Sequence, residues 1–189
     1  MSTKIGNLNA ATAEEGDEIP ANRSGSDVKL TAGDIASLGP NSYGGMYVYD
    51  GATAQAITNT TTPVKLTCFS LAGGANGLSH NCTPDKVNNR ITVARAGTYY
   101  LNYSLSFLSS VASINFESYV YVDGTIIPST GSMSKMAAGA GTDTKCINGG
   151  GFAAIAANKD VDLRAYHSHS SSVDMTVSHA NLTVRYVGT

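Results

Sequence analysis

The stretch Arg90 to Phe107, RITVARAGTYYLNYSLSF, carries the clearest pattern in the chain. A four-residue apolar-polar run (Arg90 to Val93) meets a Gly turn at Ala96-Gly97 and then a long alternating run. Tyr99, Leu101, Tyr103, Leu105 and Phe107 fall on one side; Tyr100, Asn102, Ser104 and Ser106 fall on the other. Successive strand residues point to opposite faces, so this alternation predicts a strand with one buried and one uncovered face. Ile114 to Val122 alternates likewise and ends on Asp123-Gly124, a hairpin signal, with Thr125 to Pro128 returning.

Further strands are predicted at Met46–Tyr49, Ala56–Thr60, Val64–Leu71, Lys145–Ala156, Val161–Ser168 and Val173–Val187. Gly73 to Lys86 reads as a loop, and so does the Gly/Ser/Met/Ala-rich stretch Ser129 to Thr144, expected to be mobile or to face a partner. Ten or so short strands with turns between them predict an antiparallel sandwich, not a parallel sheet.

Residues 1–40 differ from the rest. Glu14, Glu15, Asp17 and Glu18 form an acidic cluster, and Val28 to Leu30 predicts one short strand. Thr31 and Asp34 have capping-box spacing, predicting a short helix over Asp34 to Leu38 that Gly39 and Pro40 stop. Some forty residues with so few apolar anchors lack a core of their own, so another chain is expected to hold this arm. The expected division is an arm, 1–40, and a β domain, 41–189.

Two resemblances enter here. The Arg90–Phe107 stretch, Phe152 to Leu163 and the closing Leu182 to Val187 resemble the signature strands of the C1q/TNF-like jelly roll. That resemblance implies an all-β jelly-roll sandwich and says little about function, since one fold serves many roles. The arm resembles an N-terminal module of tailed-bacteriophage fibre and appendage proteins, through Lys4, Ile5, Leu8, Ala10 to Ala13, Asp17, Ile19, Val28, Leu30, Thr31, Asp34, Ile35, Leu38 and Gly39. It departs from that pattern at Ile19-Pro20-Ala21. This second resemblance implies attachment to a particle and trimer assembly, with Ile5, Leu8, Ile19, Val28, Leu30, Ile35 and Leu38 as the attachment residues.

Composition narrows the function. Of 189 residues, 42% are hydrophobic and only 14% charged, with 20 Gly and no Trp; the formal net charge is -2. Phosphate-driven nucleic-acid binding needs clustered Lys and Arg, so no nucleic-acid partner is expected. No apolar run is long enough to span a membrane, and the N-terminus does not read as a secretory signal. The Asn-x-Ser/Thr sites at Asn22, Asn59, Asn81, Asn102 and Asn181 are then bystanders of a Thr/Asn-rich β composition. Cys68, Cys82 and Cys146 form no C-x-x-C; they read as buried thiols, with a Cys68–Cys82 bridge as the alternative.

Catalytic motifs are sparse. Ser132-Met-Ser-Lys135 has S-x-x-K spacing but lacks the companion motifs. His167 and His169 share a strand face and could share a metal, or else form a plain polar strand end; Asp160 and Asp162 could bind calcium, or form a solvated turn. Glu117 is the mid-strand carboxylate, with an inter-chain pair to Arg164 or Arg185 as its plain explanation. No enzymatic activity, metal or cofactor is expected.

Tyr on both sides of the strands suits an association surface, because its ring wants cover and its hydroxyl a partner. Tyr100, Tyr119, Tyr121, Tyr166 and Tyr186 are the expected trimer-interface residues. The reading is a homotrimeric virion structural protein of a tailed bacteriophage: a capsid decoration, cement or head-fibre protein, with residues 1–40 docked on the major capsid protein or another virion protein. A tail fibre or receptor-binding protein is the alternative.

Overall fold

In the computed structural model, the described residues are 18–23, 26–31, 42–58, 61–137 and 142–188. The chain divides into two units, Met1–Pro40 and Asn41–Thr189. In the first, β1 (Glu18–Arg23) and β2 (Ser26–Thr31) form an antiparallel hairpin with Ile19 opposite Leu30 and Ala21 opposite Val28. The strand expected at Val28–Leu30 therefore belongs to a pair, and Pro20 sits within its partner. Ile5, Leu8, Ile35, Leu38 and the expected Asp34–Leu38 helix lie outside the described residues.

The second unit is an all-β sandwich of two antiparallel sheets, as the alternation predicts. Its strands are β3 (Tyr43–Val48), β4 (Ala54–Ile57), β5 (Val64–Lys65), β6 (Gly74–His80), β7 (Cys82–Asp85), β8 (Arg90–Val93), β9 (Gly97–Ser109) and β10 (Ile114–Val122). There follow β11 (Thr125–Ile126), β12 (Ser132–Met136), β13 (Lys145–Ile155), β14 (Lys159–His167) and β15 (Val173–Gly188). One sheet runs β13-β9-β15-β3-β6, with β4 on β15; the other runs β11-β10-β14-β8-β7, with β12 on β10 and β5 on β14.

The core lies where β9 faces β10 and β14. Tyr99, Leu101, Tyr103, Leu105 and Phe107 are all at most 1% exposed, the expected inward set. From the opposite sheet Phe116, Val120, Val161, Leu163 and Ala165 meet them. Phe107 and Phe116 pack edge to face at 5.0 Å. Tyr103 crosses the sandwich: its hydroxyl donates to the Ser118 carbonyl at 2.8 Å and accepts from Ser118 Oγ at 3.1 Å. A buried phenol thus satisfies itself and fixes one sheet's register over the other.

The turns follow their chemistry. Asp123 (φ 50) and Gly124 (φ 80) both take positive φ, as the tight hairpin between β10 and β11 requires. Gly97 (φ 152) sits where an added Cβ would lie 2.3 Å from the Tyr186 ring.

Three expectations need correction. Gly73–Lys86 is not a loop but holds β6 and β7. Both are edge strands, held by backbone ladders to β3 and β8 and carrying no apolar alternation; an edge also tolerates Pro84. Within Ser129–Thr144, β12 pairs with the first half of β10, so that part is sheet. Val64–Leu71 is not one strand: after Val64–Lys65 the chain bends into a 3-10 turn at Cys68–Ser70, which buries Cys68 and Phe69.

Tyr103→Phe should lower the free energy of unfolding by about 1–3 kcal/mol, since it strips the inter-sheet hydrogen bonds from a dry site. Phe107→Ala should cost about 3–5 kcal/mol through the cavity it opens. Urea unfolding checks both; a neutral Tyr103→Phe would remove the hydroxyl from any structural role.

Candidate interaction surfaces

Each sheet turns one face outward, and the two faces differ in charge. On the β9 sheet, Phe152, Tyr100, Arg185, Tyr43 and His80 are successive cross-strand partners over five strands. Tyr100 and Phe152 rings lie 5.1 Å apart, and Tyr43 and His80 rings 6.3 Å apart. All five residues are exposed, Phe152 at 63%. The next row is Gly150, Asn102, Thr183 and Gly45; after it come Asn148, Ser104, Asn181 and Tyr47. The small residues leave that middle low between rows of rings. Beyond it, Cys146 Sγ lies 3.3 Å from Ser106 Oγ, and exposed Tyr49 meets His179 edge to face at 5.4 Å. None of these residues is acidic.

The outer face of the β10-β14 sheet is charged, and most of its charges are internally paired. Asp160 binds Arg90 Nη1 and Thr92 Oγ1, each at 2.6 Å. Buried Asp162 accepts from Arg164 Nε at 2.8 Å and Nη2 at 3.2 Å, with Lys65 Nζ at 3.6 Å. The Arg164 guanidinium in turn lies 4.3 Å from the Tyr121 ring centroid. Asp123 pairs with Lys159.

These contacts revise the candidate sites. Asp160 and Asp162 do share a strand face, but each is occupied by a guanidinium, which leaves no room for calcium's several oxygen ligands. Buried His167 uses both ring nitrogens: Nε2 is 2.8 Å from the Ile57 carbonyl, and Nδ1 accepts from the His169 backbone N–H at 3.1 Å. β14 ends at His167, and His169 turns its Nδ1 to the Ser171 backbone, so the two imidazoles do not form a metal pair. Among the described residues no group of three potential ligands gathers. Ser132 and Lys135 lie three apart on strand β12, hence on opposite faces, so the S-x-x-K spacing assembles no nucleophile and base.

The five candidate interface tyrosines separate. Tyr100 stands on the outer face of the β9 sheet, beside Arg185. Tyr119 and Tyr166 lie half-buried on the other sheet, both donating to Glu117. Tyr121 and Tyr186 are each only 8% exposed, so neither is a spare ring on an open face. Arg164 covers Tyr121; Tyr186 turns inward edge-on to Tyr99 at 5.5 Å, with Arg95 over its ring at 4.6 Å. Arg164 engages Asp162, not Glu117. Missing from that set were Phe152, Tyr43, Tyr47 and Tyr49. The signal for Phe152 was present: it is the large apolar residue in an outward series of Cys146, Asn148 and Gly150.

No family model matches the chain, and no curated protein does. Solved structures do. A TNF-type Eiger from S. frugiperda superposes with a TM-score of 0.53 at 8% identity, covering 79% of this chain and 94% of that one. Murine APRIL gives 0.51 at 11% identity, covering 78% and 99%. The globular domain of zebrafish complement 1qA gives 0.50 at 10% identity, covering 77% and 97%. The fold is the C1q/TNF-like jelly roll. Likeness at this identity carries the architecture alone.

The cysteines of this jelly roll are all free, so Cys68 and Cys82 do not bridge; both are buried, while Cys146 is exposed. Burial pushes the Cys82 thiol up from 9.0 to about 11 and the Cys68 thiol up to about 12. The fold therefore favours the protonated thiols. That contribution is whole below pH 9 and is lost as pH rises through 11 to 12. Thermal melts should show a Tm level up to pH 9 and falling toward pH 12, with the fall reduced in Cys82→Ala. A fall unchanged by that substitution would mean the thiol ionises as readily in the fold as outside it.

Proposed function

We propose that the chain is a non-enzymatic structural protein of a tailed-bacteriophage virion, a capsid decoration, cement or head-fibre protein. Its jelly roll assembles into a homotrimer through the outer face of the β9 sheet, and residues 1–40 attach it to the particle. The observation that carries the assembly is the five-strand row Phe152–Tyr100–Arg185–Tyr43–His80, in which Arg185 is the one fixed charge. Interface cores are depleted in charge and enriched in aromatic residues and Arg, and each buried aromatic contributes by the apolar area it removes from water. Burying this row desolvates one guanidinium per copy, whereas the paired ions of the other sheet are already satisfied in solvent. The arm's part rests on its resemblance to fibre and appendage modules, as does the threefold count.

Light scattering should give three times 19.5 kDa. Phe152→Asp with Tyr100→Asp should release folded monomers, since two carboxylates would be desolvated in the contact. Exposed Cys146 reports the same event: it should react slowly with a thiol reagent in the assembly and fast in the released monomer. An assembly unaffected by both substitutions places the contact elsewhere.

Deleting residues 1–40 should leave the trimer intact but abolish incorporation into particles, scored by co-sedimentation. Full incorporation of the truncated chain would remove the arm from attachment.

A further inference from the structure

Glu117 stands on the outer face of β10, opposite Tyr166 of β14 and Met133 of β12. Tyr119 lies two residues along the same face. The Tyr119 and Tyr166 rings are parallel, 6° between planes, with centroids 6.3 Å apart. Both hydroxyls donate to one oxygen, Glu117 Oε2, that of Tyr119 at 2.9 Å. Burial first, and then these bonds, raise both phenols, so they remain donors at neutral pH. Gly131 backs the arrangement: an added Cβ there would lie 2.3 Å from the Tyr119 ring, so the ring rests against bare backbone.

The other acids of β14 and of the β10–β11 turn each hold a cation: Asp160 has Arg90, Asp162 has Arg164, and Asp123 has Lys159. Glu117 has none within ion-pair distance among the described residues, and its Oε1 receives no donor there. Lys135, exposed on β12 two residues past Met133, makes no ion pair with it. Met133, beside the carboxylate, is 60% exposed.

We propose that Glu117, Tyr119, Tyr166 and Met133 form a docking site for a basic side chain, an arginine guanidinium or lysine ammonium, presented by a protein partner. The carboxylate is oriented by two phenols and keeps one oxygen for a charge-assisted bond. The rings and the thioether supply polarisable faces for the cation and its alkyl stem. A small free cation on so open a face stays hydrated and gains little. A polypeptide that lays a basic residue there also covers Met133 and the rings, which excludes water and strengthens each contact. Neighbouring acids do not compete for the cation, because their own are in place. This inference depends on neither the assembly face nor the virion reading.

The test uses full-length protein labelled with 13C at the methionine methyls and titrated at low ionic strength with tetra-arginine amide. The expected result is a saturable shift of the Met133 methyl, with the buried Met46, Met136 and Met175 unmoved. Glu117→Gln should weaken binding about tenfold or more, the scale of one lost charge-assisted contact. Met133→Lys, which sets a competing cation beside an intact Glu117 and, lacking the reporter methyl, is titrated by calorimetry beside the unsubstituted protein, should weaken it as much and serves if Glu117→Gln does not fold. No saturable shift, or unchanged affinity in Met133→Lys, would overturn the site. If n-butylammonium binds as tightly as the peptide, the site takes small amines and the protein-partner assignment is overturned.

Discussion

The whole β domain depends on one packing relation: β9 laid across β10 and β14. Five inward side chains of β9 are sealed from water, and all five are large. Burial of that much apolar surface supplies the drive, but it would tolerate sliding. The Tyr103 hydroxyl removes that freedom, because its two bonds to Ser118 exist in one register only. The outer faces then follow. Once Tyr103 points in, Tyr100 and Asn102 must point out, and once Ser118 points in, Glu117 and Tyr119 must point out.

The two outward faces solve different problems. The β10-β14 face lives with water: its carboxylates and guanidiniums neutralise one another across short distances, and most need nothing from outside. Glu117 is the exception, held by phenols instead of a cation. The β9 face has no such internal settlement. It lays aromatic rings and one arginine beside a low strip of Gly, Ser, Thr and Asn, a surface whose free energy falls when something covers it. The difference between the faces is one of charge pairing and not of hydrophobicity alone, and this is why the two sheets are assigned different partners.

Candidate chemistry failed for a geometric reason that spacing alone does not express. His167 and His169 are two apart, but the strand ends between them and backbone groups occupy their nitrogens. Asp160 and Asp162 share a face, yet Arg90, 70 residues away in sequence, reaches Asp160 at 2.6 Å. A distant segment fills the site at Asp160 and at His167 Nε2, and near neighbours along the chain do so at Asp162 and His169.

From the residues alone, the alternation of β8, β9 and β10 was legible, since period-two burial is written directly into side-chain order. So were the turn at Asp123-Gly124 and the sandwich class. Strands β6, β7 and β12 were not legible: they are edge strands made by backbone pairing, which leaves little trace in side chains. Of the candidate interface tyrosines, Tyr100 could be placed outward from its own strand. Tyr186 could be placed inward likewise, on the face of Leu182 and Val184; Tyr121 leaves its strand outward with Glu117 and Tyr119, but that Arg164 lies over its ring depends on the neighbouring strand. Local sequence fixes which way a side chain leaves its strand; only the tertiary packing decides what, if anything, is waiting there.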